Sequence, residues 1–421
     1  MNIQRIADRL LRRMIGLGVA SVMAVSTAWA ADPIKIGFSM EETGGLAANG
    51  KPALLAMQIW AEDVNAKGGI LGRKVELVYY DDQTNPSTVP SIYNKLLDVD
   101  KVDLVVSGYG TNVIAPAMPI MMQRNMTFMG LFGMNVNSKF DYDRYFQIMP
   151  AGPEPAIGWT QGFFDTAMTL NPKPQTVALV GADAEYPALA LAGAREQVKM
   201  TGLKVVYDKS YPPNTVDFSP IIRAIQATNP DLVYVASYPP DSAGMVRAAN
   251  EVGLKTRMFG GGMVGPQFAA LRTQLGPLLN GVVNYETYAP EVAGKFPTLE
   301  AFLPKYQARA AKEGVDPLGY YLPPFAYAMM QVIEQSIAAT KSLDQGKLAQ
   351  HMHASEFDTV VGKVRFAKNG EWAQPRMLAV QYHGIVGNDL GQWKKPGHVT
   401  VLAPAAYKTG EVATPYQDSR K

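Results

Sequence analysis

The chain has 421 residues, with 39 Lys and Arg against 37 Asp and Glu, 47% hydrophobic residues and no cysteine. That length supplies two domains of ordinary size with substantial cores, and the missing Cys excludes disulfides and a thiol for lipid attachment. The formal net charge of +2 comes with no basic stripe, so nothing points to nucleic acid as a partner.

Residues 1–30 stand apart. Arg5, Arg9, Arg12 and Arg13 make a basic start, residues 14–27 form an apolar run of small residues, and Ala28-Trp29-Ala30 has the small-x-small form of a cleavage site. This predicts a secretory signal peptide cut after Ala30. The reading weighed against it, a transmembrane anchor, asks for about 20 apolar residues. Without its four Arg and one Asp the chain keeps 35 basic and 36 acidic residues, a net charge of −1. No later stretch of about 18 apolar residues appears, so a freely diffusing periplasmic protein is expected.

From Pro33, short β-branched runs alternate with longer amphipathic segments, the pattern of βα units around a mostly parallel sheet. "IKIGFSM" (34–40), "VELVYYD" (75–81), "VDLVVSG" (102–108) and "TFMGLF" (127–132) read as strands, with helices at 51–67, 88–97 and 112–124. In "YFQIMPAGPEP" the Pro and Gly mark a crossing between domains. The rhythm then restarts with strands at 176–182, 204–211, 231–237, 257–261 and 281–288, and helices near 185–200, 217–228, 241–252 and 266–275. Long helices at 298–313 and 320–340 and a short one near 346–353 follow. The strands "VGKVRF" (361–366), "RMLAVQYHGIV" (376–386) and "HVTVLAP" (398–404) must then join an existing sheet or its hinge. A loosely polar tail runs from about Thr414. The fold class expected is α/β, with two Rossmann-like lobes of mostly parallel sheet and no short-period repeat.

Enzyme signatures are sparse: there is no G-x-S-x-G elbow, H-E-x-x-H or P-loop. "GGGMVG" (260–265) matches G-x-G-x-x-G with Glu286 about 20 residues on, but Pro266 follows at once. Glycines for a tight turn or close approach are the simpler reading. His351 and His353 would point apart on a helix, so a shared metal is not expected. Glu41-Glu42 and Asp81-Asp82 end the first two strands and read as solvated loop carboxylates. Hydroxyl and aromatic residues remain at the C-terminal strand ends, where open α/β sheets bind ligands: Thr43, Asn49, Tyr109, Thr111, Asn112, Phe132, Met134, Tyr186, Tyr238 and the 260–263 glycine turn. A cleft that binds without reacting, with no cofactor and no metal, accounts for them most simply.

Over nearly the whole mature chain the sequence resembles periplasmic solute-binding proteins of the branched-chain or hydrophobic amino acid class of ABC importers. The resemblance rests on "NAKGGILGRKVEL" within 34–86, on "DFSPIIRAIQATNPDLVYVASYPPDSAGMVRAANEVGLK" and on "YYLPPFAYAMMQVIEQSI". It implies a type I bilobal fold with a three-crossover hinge, lobe 1 being 31–150 plus 289–358 and lobe 2 being 151–288 plus 359–421. It also implies a monomer that closes on a small molecule and delivers it to ABC permease subunits with their cytoplasmic ATPases.

Carried over residue by residue, the resemblance places Thr111 at the hydroxyl that holds a ligand carboxylate, beside Tyr109 and Asn112. Tyr186 and Tyr238 stand at the tyrosines that close over the ligand. Phe132 and Met134 stand where a small residue and a Thr or Ser would grip an amino acid, Gly262 replaces the acid that pairs with its ammonium, and Asn49 replaces an aromatic. A buried ammonium without a carboxylate is disfavoured by several kcal/mol. The expected ligand is therefore a small organic acid, aromatic among the options, or a related neutral molecule. The alternatives are a branched-chain or hydrophobic amino acid, with Glu41, Glu42 or Asp241 supplying the charge, and, from another class, a hydrolase or lyase.

Overall fold

The computed structural model describes residues 32–420. The expected signal peptide and its cleavage site lie outside the described residues.

The first sheet holds β1 (Ile34–Met40), β2 (Val75–Asp81), β3 (Leu104–Tyr109), β4 (Phe128–Leu131) and β5 (Tyr145–Gln147) in the order β2-β1-β3-β4-β5, all parallel. Such strands read as nearly continuous apolar runs because helices cover both faces; every residue of β3 and β4 is buried. The helix Ala47–Ala66 packs here against Leu322–Thr340, which returns from far along the chain. Strand order reverses between β1 and β3, so the crevice of this sheet opens outside Met40 and Tyr109.

The second sheet contains β6 (Thr176–Ala182), β7 (Lys204–Tyr211), β8 (Leu232–Ser237), β9 (Met258–Met263) and β10 (Val283–Glu286), all parallel. Between β10 and the last strands the chain forms a separate hairpin of β11 (Glu356–Thr359) and β12 (Gly362–Arg365). Then β13 (Leu378–Tyr382) and β14 (Val399–Ala403) extend the second sheet antiparallel, giving the order β14-β13-β10-β9-β8-β6-β7. The reversal between β6 and β8 aims the C-terminal ends of those strands at the same crevice. The chain passes between the two sheets three times: after β5, after β10 and between β12 and β13. Two mostly parallel sheets in two lobes follow, as the pattern of βα units predicted.

Several local expectations need correction. "VGKVRF" joins neither large sheet: β12 folds back on β11, its turn residue Gly362 has φ +84°, and Phe366 stacks edgewise on Phe146 at 5.1 Å. The segment read as a crossing, 145–155, contains β5 and ends on the first residue of an unanticipated helix, Pro155–Ala167. Pro155 suits a first helical turn, while Gly158 and Gly162 within that helix are packing residues. A Cβ on Gly158 would lie 1.9 Å from the Ala151 carbonyl oxygen, and one on Gly162 2.8 Å from Ala379 Cβ. The helix expected at 266–275 is a 3-10 turn, Gly265–Gln267, followed by Ala269–Leu275. The polar tail is docked: Tyr416 is fully buried, packs on Phe259 at 5.1 Å and donates its N–H to the Thr256 carbonyl. Among the described residues no helix is long and apolar enough to cross a membrane.

Candidate functional site

Where the ends of both sheets meet, the walls leave a cavity of about 20 Å³. Tyr109, Gly110, Thr111, Phe132 and Met134 line it from the first sheet, with Met149 from the first crossing. Trp159, Tyr186, Tyr238 and Val264 line it from the second, and Tyr321 reaches in at the start of the helix Leu322–Thr340. Every lining side chain is uncharged.

The first wall is built on a strand-to-helix turn. Gly110, at φ +95°, lets the chain turn sharply out of β3, and the helix Thr111–Gln123 starts at once. Its first N–H groups have no carbonyl within the helix and carry the positive end of its dipole, which makes this the wall suited to an anionic group. The Thr111 hydroxyl accepts from the Met134 N–H at 3.0 Å. Phe132, just past β4, sits in the left-handed region at φ +60°, a conformation that disfavours a bulky residue by about 1–3 kcal/mol. Gln147 holds it there, accepting the Phe132 N–H at 2.9 Å while donating to the Gly133 carbonyl at 2.9 Å and the Tyr145 hydroxyl at 2.7 Å. The Phe132 ring packs edgewise on Tyr321 and Phe325 at 5.2 and 5.0 Å.

The second wall is tied by a short chain of bonds. The Trp159 indole N–H donates to the Tyr186 hydroxyl at 3.1 Å, which donates to the Gly262 carbonyl at 2.8 Å. Tyr238 packs on Tyr186 at 5.5 Å, and Trp159 on Tyr285 at 4.2 Å. Tyr321 spans the walls, its hydroxyl 3.3 Å from that of Tyr109 and 3.5 Å from that of Tyr285. Burial pushes the Tyr109, Tyr186 and Tyr285 phenols well above 10 and Tyr321 up to about 12, so all four stay neutral and able to donate.

Six sequence-predicted residues meet at the cavity: Tyr109, Thr111, Phe132, Met134, Tyr186 and Tyr238. Gly262 stands one bond behind, and a Cβ there would fall 2.6 Å from the Tyr234 hydroxyl. The place of the missing acid is filled. Asn112 and Asn49 are not in the lining; Asn49 is fully buried, its amide without a partner among the described residues. Sequence reasoning missed Met149, Trp159, Val264 and Tyr321. Trp159 was hidden with its unrecognised helix, and Tyr321 comes from a segment nearly 190 residues beyond Phe132.

One member of each acidic pair is not the solvated carboxylate expected. Glu41 and Asp82 are fully buried. Glu41 accepts the Tyr109 N–H at 3.1 Å, behind the wall; burial, and then the nearby Asp82, pushes its carboxyl well above 4.5. Asp81 staples the loops by accepting the Glu42, Thr43 and Gln83 N–H groups. Asp241 receives a bond from Tyr211, and burial raises it to about 6. None of Glu41, Glu42 and Asp241 lines the cavity.

The remaining motifs are structural. Gly260, Gly261 and Gly262 lie within β9 rather than in a phosphate loop; Gly260, at φ +129°, would put a Cβ 2.0 Å from the Val283 carbonyl oxygen. His351 meets Ser355 at 3.1 Å, and His353 meets the Asp143 carbonyl at 2.7 Å. Among the described residues no group of three or more His, Cys, Asp and Glu could hold a metal ion.

A family model described as periplasmic binding protein matches residues 33–384. The chain belongs to that family. It is 27% identical, over 87% of its length and 94% of the relative's, to an amino acid binding protein of Pseudomonas aeruginosa. Its fold is similar to that of a leucine binding protein from Thermotoga maritima, with a TM-score of 0.71 and 20% identity over 87% of this chain and 97% of that one. It is also similar to a solute binding protein of an ABC transporter from Rhodopseudomonas palustris in complex with 3,4-dihydroxybenzoic acid, with a TM-score of 0.69 and 18% identity over 85% and 94% of the two chains. The protein is thus a member of the periplasmic binding protein family, with periplasmic solute-binding proteins as its homologues.

Proposed function

We propose that the protein captures a small organic acid lacking an α-ammonium, aromatic in the favoured case, between its lobes and hands it to its permease without chemical change. The observation that carries this reading is the absence of any carboxylate from the cavity lining. In our reading Thr111 and the first N–H groups of its helix receive the ligand carboxylate, a charge-assisted bond of roughly 1.5–3 kcal/mol. Phe132, Met134, Tyr109, Tyr186, Tyr238, Trp159 and Tyr321 pack a flat body. The Rhodopseudomonas palustris neighbour bound to 3,4-dihydroxybenzoic acid supports the aromatic case. The names of the amino acid and leucine binding relatives favour the second reading, a branched-chain or hydrophobic amino acid.

The same proposal has a mature chain starting after Ala30 in the periplasm and acting as a monomer. It takes lobe 1 as 31–150 plus 289–358, extended to about residue 373 because the β11–β12 hairpin packs on the helix Leu322–Thr340. Lobe 2 is the remainder. A thermal-shift screen tests the ligand class, since a ligand at 100 times its dissociation constant stabilises by about 2.7 kcal/mol. Aromatic or aliphatic acids are expected to raise the melting temperature; a rise with leucine or valine alone would overturn the reading.

A further inference from the structure

Away from the cleft, the three crossings converge on one side chain. Arg376 lies in the third crossing, and its backbone N–H donates to the Pro150 carbonyl of the first at 2.8 Å. Its guanidinium stacks 5.6 Å from the ring of Phe296, in the second crossing, and 4.9 Å from that of Trp372. One of its terminal nitrogens donates to the Val361 carbonyl in the β11–β12 turn. Arg376 is thus held in place by groups that offer no negative charge.

Among the described residues no carboxylate pairs with it, and burial pushes its pKa down to about 10, leaving it charged. Its Nε and the Trp372 indole N–H are buried donors without acceptors. A guanidinium held between rings and short of acceptors is a group that gains from an incoming anion. Both residues line a groove of about 1180 Å³ on which Arg365 and Lys368 stand, exposed and, among the described residues, in no ion pair. The other charged groups facing it are Lys363, tied to Glu356 at 2.8 Å, and Asp143, with His353 already bonded to the Asp143 carbonyl. The uncompensated charge of the groove is positive, and it comes from both sides of the third crossing.

We propose that this groove is a second binding site, separate from the cleft, which takes a small oxyanion, carboxylate or phosphate, on Arg376 with Arg365 and Lys368. The two rings and the Val361 carbonyl hold in place the guanidinium, whose planar fork suits two-point recognition of a carboxylate or phosphate, and the two exposed cations stand on the hairpin side.

The test is thermal unfolding of the mature protein with millimolar citrate and, separately, inorganic phosphate, against sodium chloride at matched ionic strength. At least one oxyanion is expected to raise the melting temperature by about 2 °C or more beyond chloride. Arg365→Gln/Lys368→Gln, which alters only exposed side chains, is expected to abolish that difference, and Thr111→Ala to keep it. Arg376→Gln should abolish it too where it folds, but the double variant alone suffices. An equal rise in the double variant, or no excess over chloride with either anion, overturns the site.

Discussion

Each lobe buries a glutamate at the cleft end of its sheet, and the two are treated in opposite ways. Glu286, ending β10, is paired with Arg272 and accepts the Tyr382 hydroxyl at 2.6 Å; burial pushes it up to about 7 although Arg272 pulls it back. Arg272 is itself fixed by the Pro266 carbonyl at 2.6 Å and by the Trp393 ring at 4.6 Å. Glu41, following β1, has no cationic partner among the described residues, and burial with the neighbouring Asp82 favours its neutral form. In one lobe the carboxylate has an internal cationic partner; in the other, burial and a like charge favour its neutral form. The result is the same on both sides: a cleft whose walls present rings and hydroxyls but no charge.

Breaking the paired side should have the largest effect. Arg272→Met strands Glu286 and should lower unfolding free energy by about 3–5 kcal/mol in urea titration, with Arg272→Met/Glu286→Gln recovering much of the loss. Equal stability of Arg272→Met and wild type would show that the pair is not what neutralises this lobe.

On the first lobe, Phe132→Gly sets two terms against each other. Losing the buried ring costs about 3–5 kcal/mol, and releasing the left-handed backbone returns about 1–3 kcal/mol. A net loss of about 2 kcal/mol is expected in the same titration; a loss at the full value for the ring would mean that the backbone carries no strain.

The fold was largely legible because its signals are local. β1 and β2 fall at the residues their β-branched runs marked, and the reversal of strand order then locates the crevice. What escaped depended on tertiary contacts. The helix Pro155–Ala167 was not anticipated, because nothing local announces that Ala151 and Ala379 press against Gly158 and Gly162. The reading of Glu41 and Asp82 as solvated failed because contacts distant in sequence bury them: Glu41 meets the Tyr109 N–H and Gly50 of the helix Ala47–Ala66, and Asp82 bonds back to the Met40 carbonyl. Of the candidate site, the hydroxyl and aromatic residues at strand ends were readable, since strand ends face the crevice. Trp159 and Tyr321 were not, because a helix start positions each of them from outside the strand-end pattern.

Smaller effects sharpen the comparison. Thr111→Ala should weaken ligand binding at least tenfold, about 1.4 kcal/mol, by calorimetry, and lower unfolding free energy by about 1–3 kcal/mol because the Met134 N–H loses its acceptor; unaltered affinity would remove Thr111 from the site. Glu41→Gln tests that neutral form. A carboxyl raised in the folded state contributes stability below its unfolded value near 4.5 and loses it as pH rises through the folded value. The variant should therefore be more stable than wild type at pH 8, with the gap closing toward pH 4. A gap that widens on acidification would mean that Glu41 is held as a carboxylate.

The most direct measurement of the uncharged cleft pairs an amino acid with its deaminated analogue, phenylalanine with 3-phenylpropanoate and leucine with 4-methylpentanoate, by titration calorimetry on the mature protein. The account predicts that in at least one pair the deaminated acid binds at least tenfold more tightly, about 1.4 kcal/mol. Equal or tighter binding of the amino acid in both pairs would contradict it.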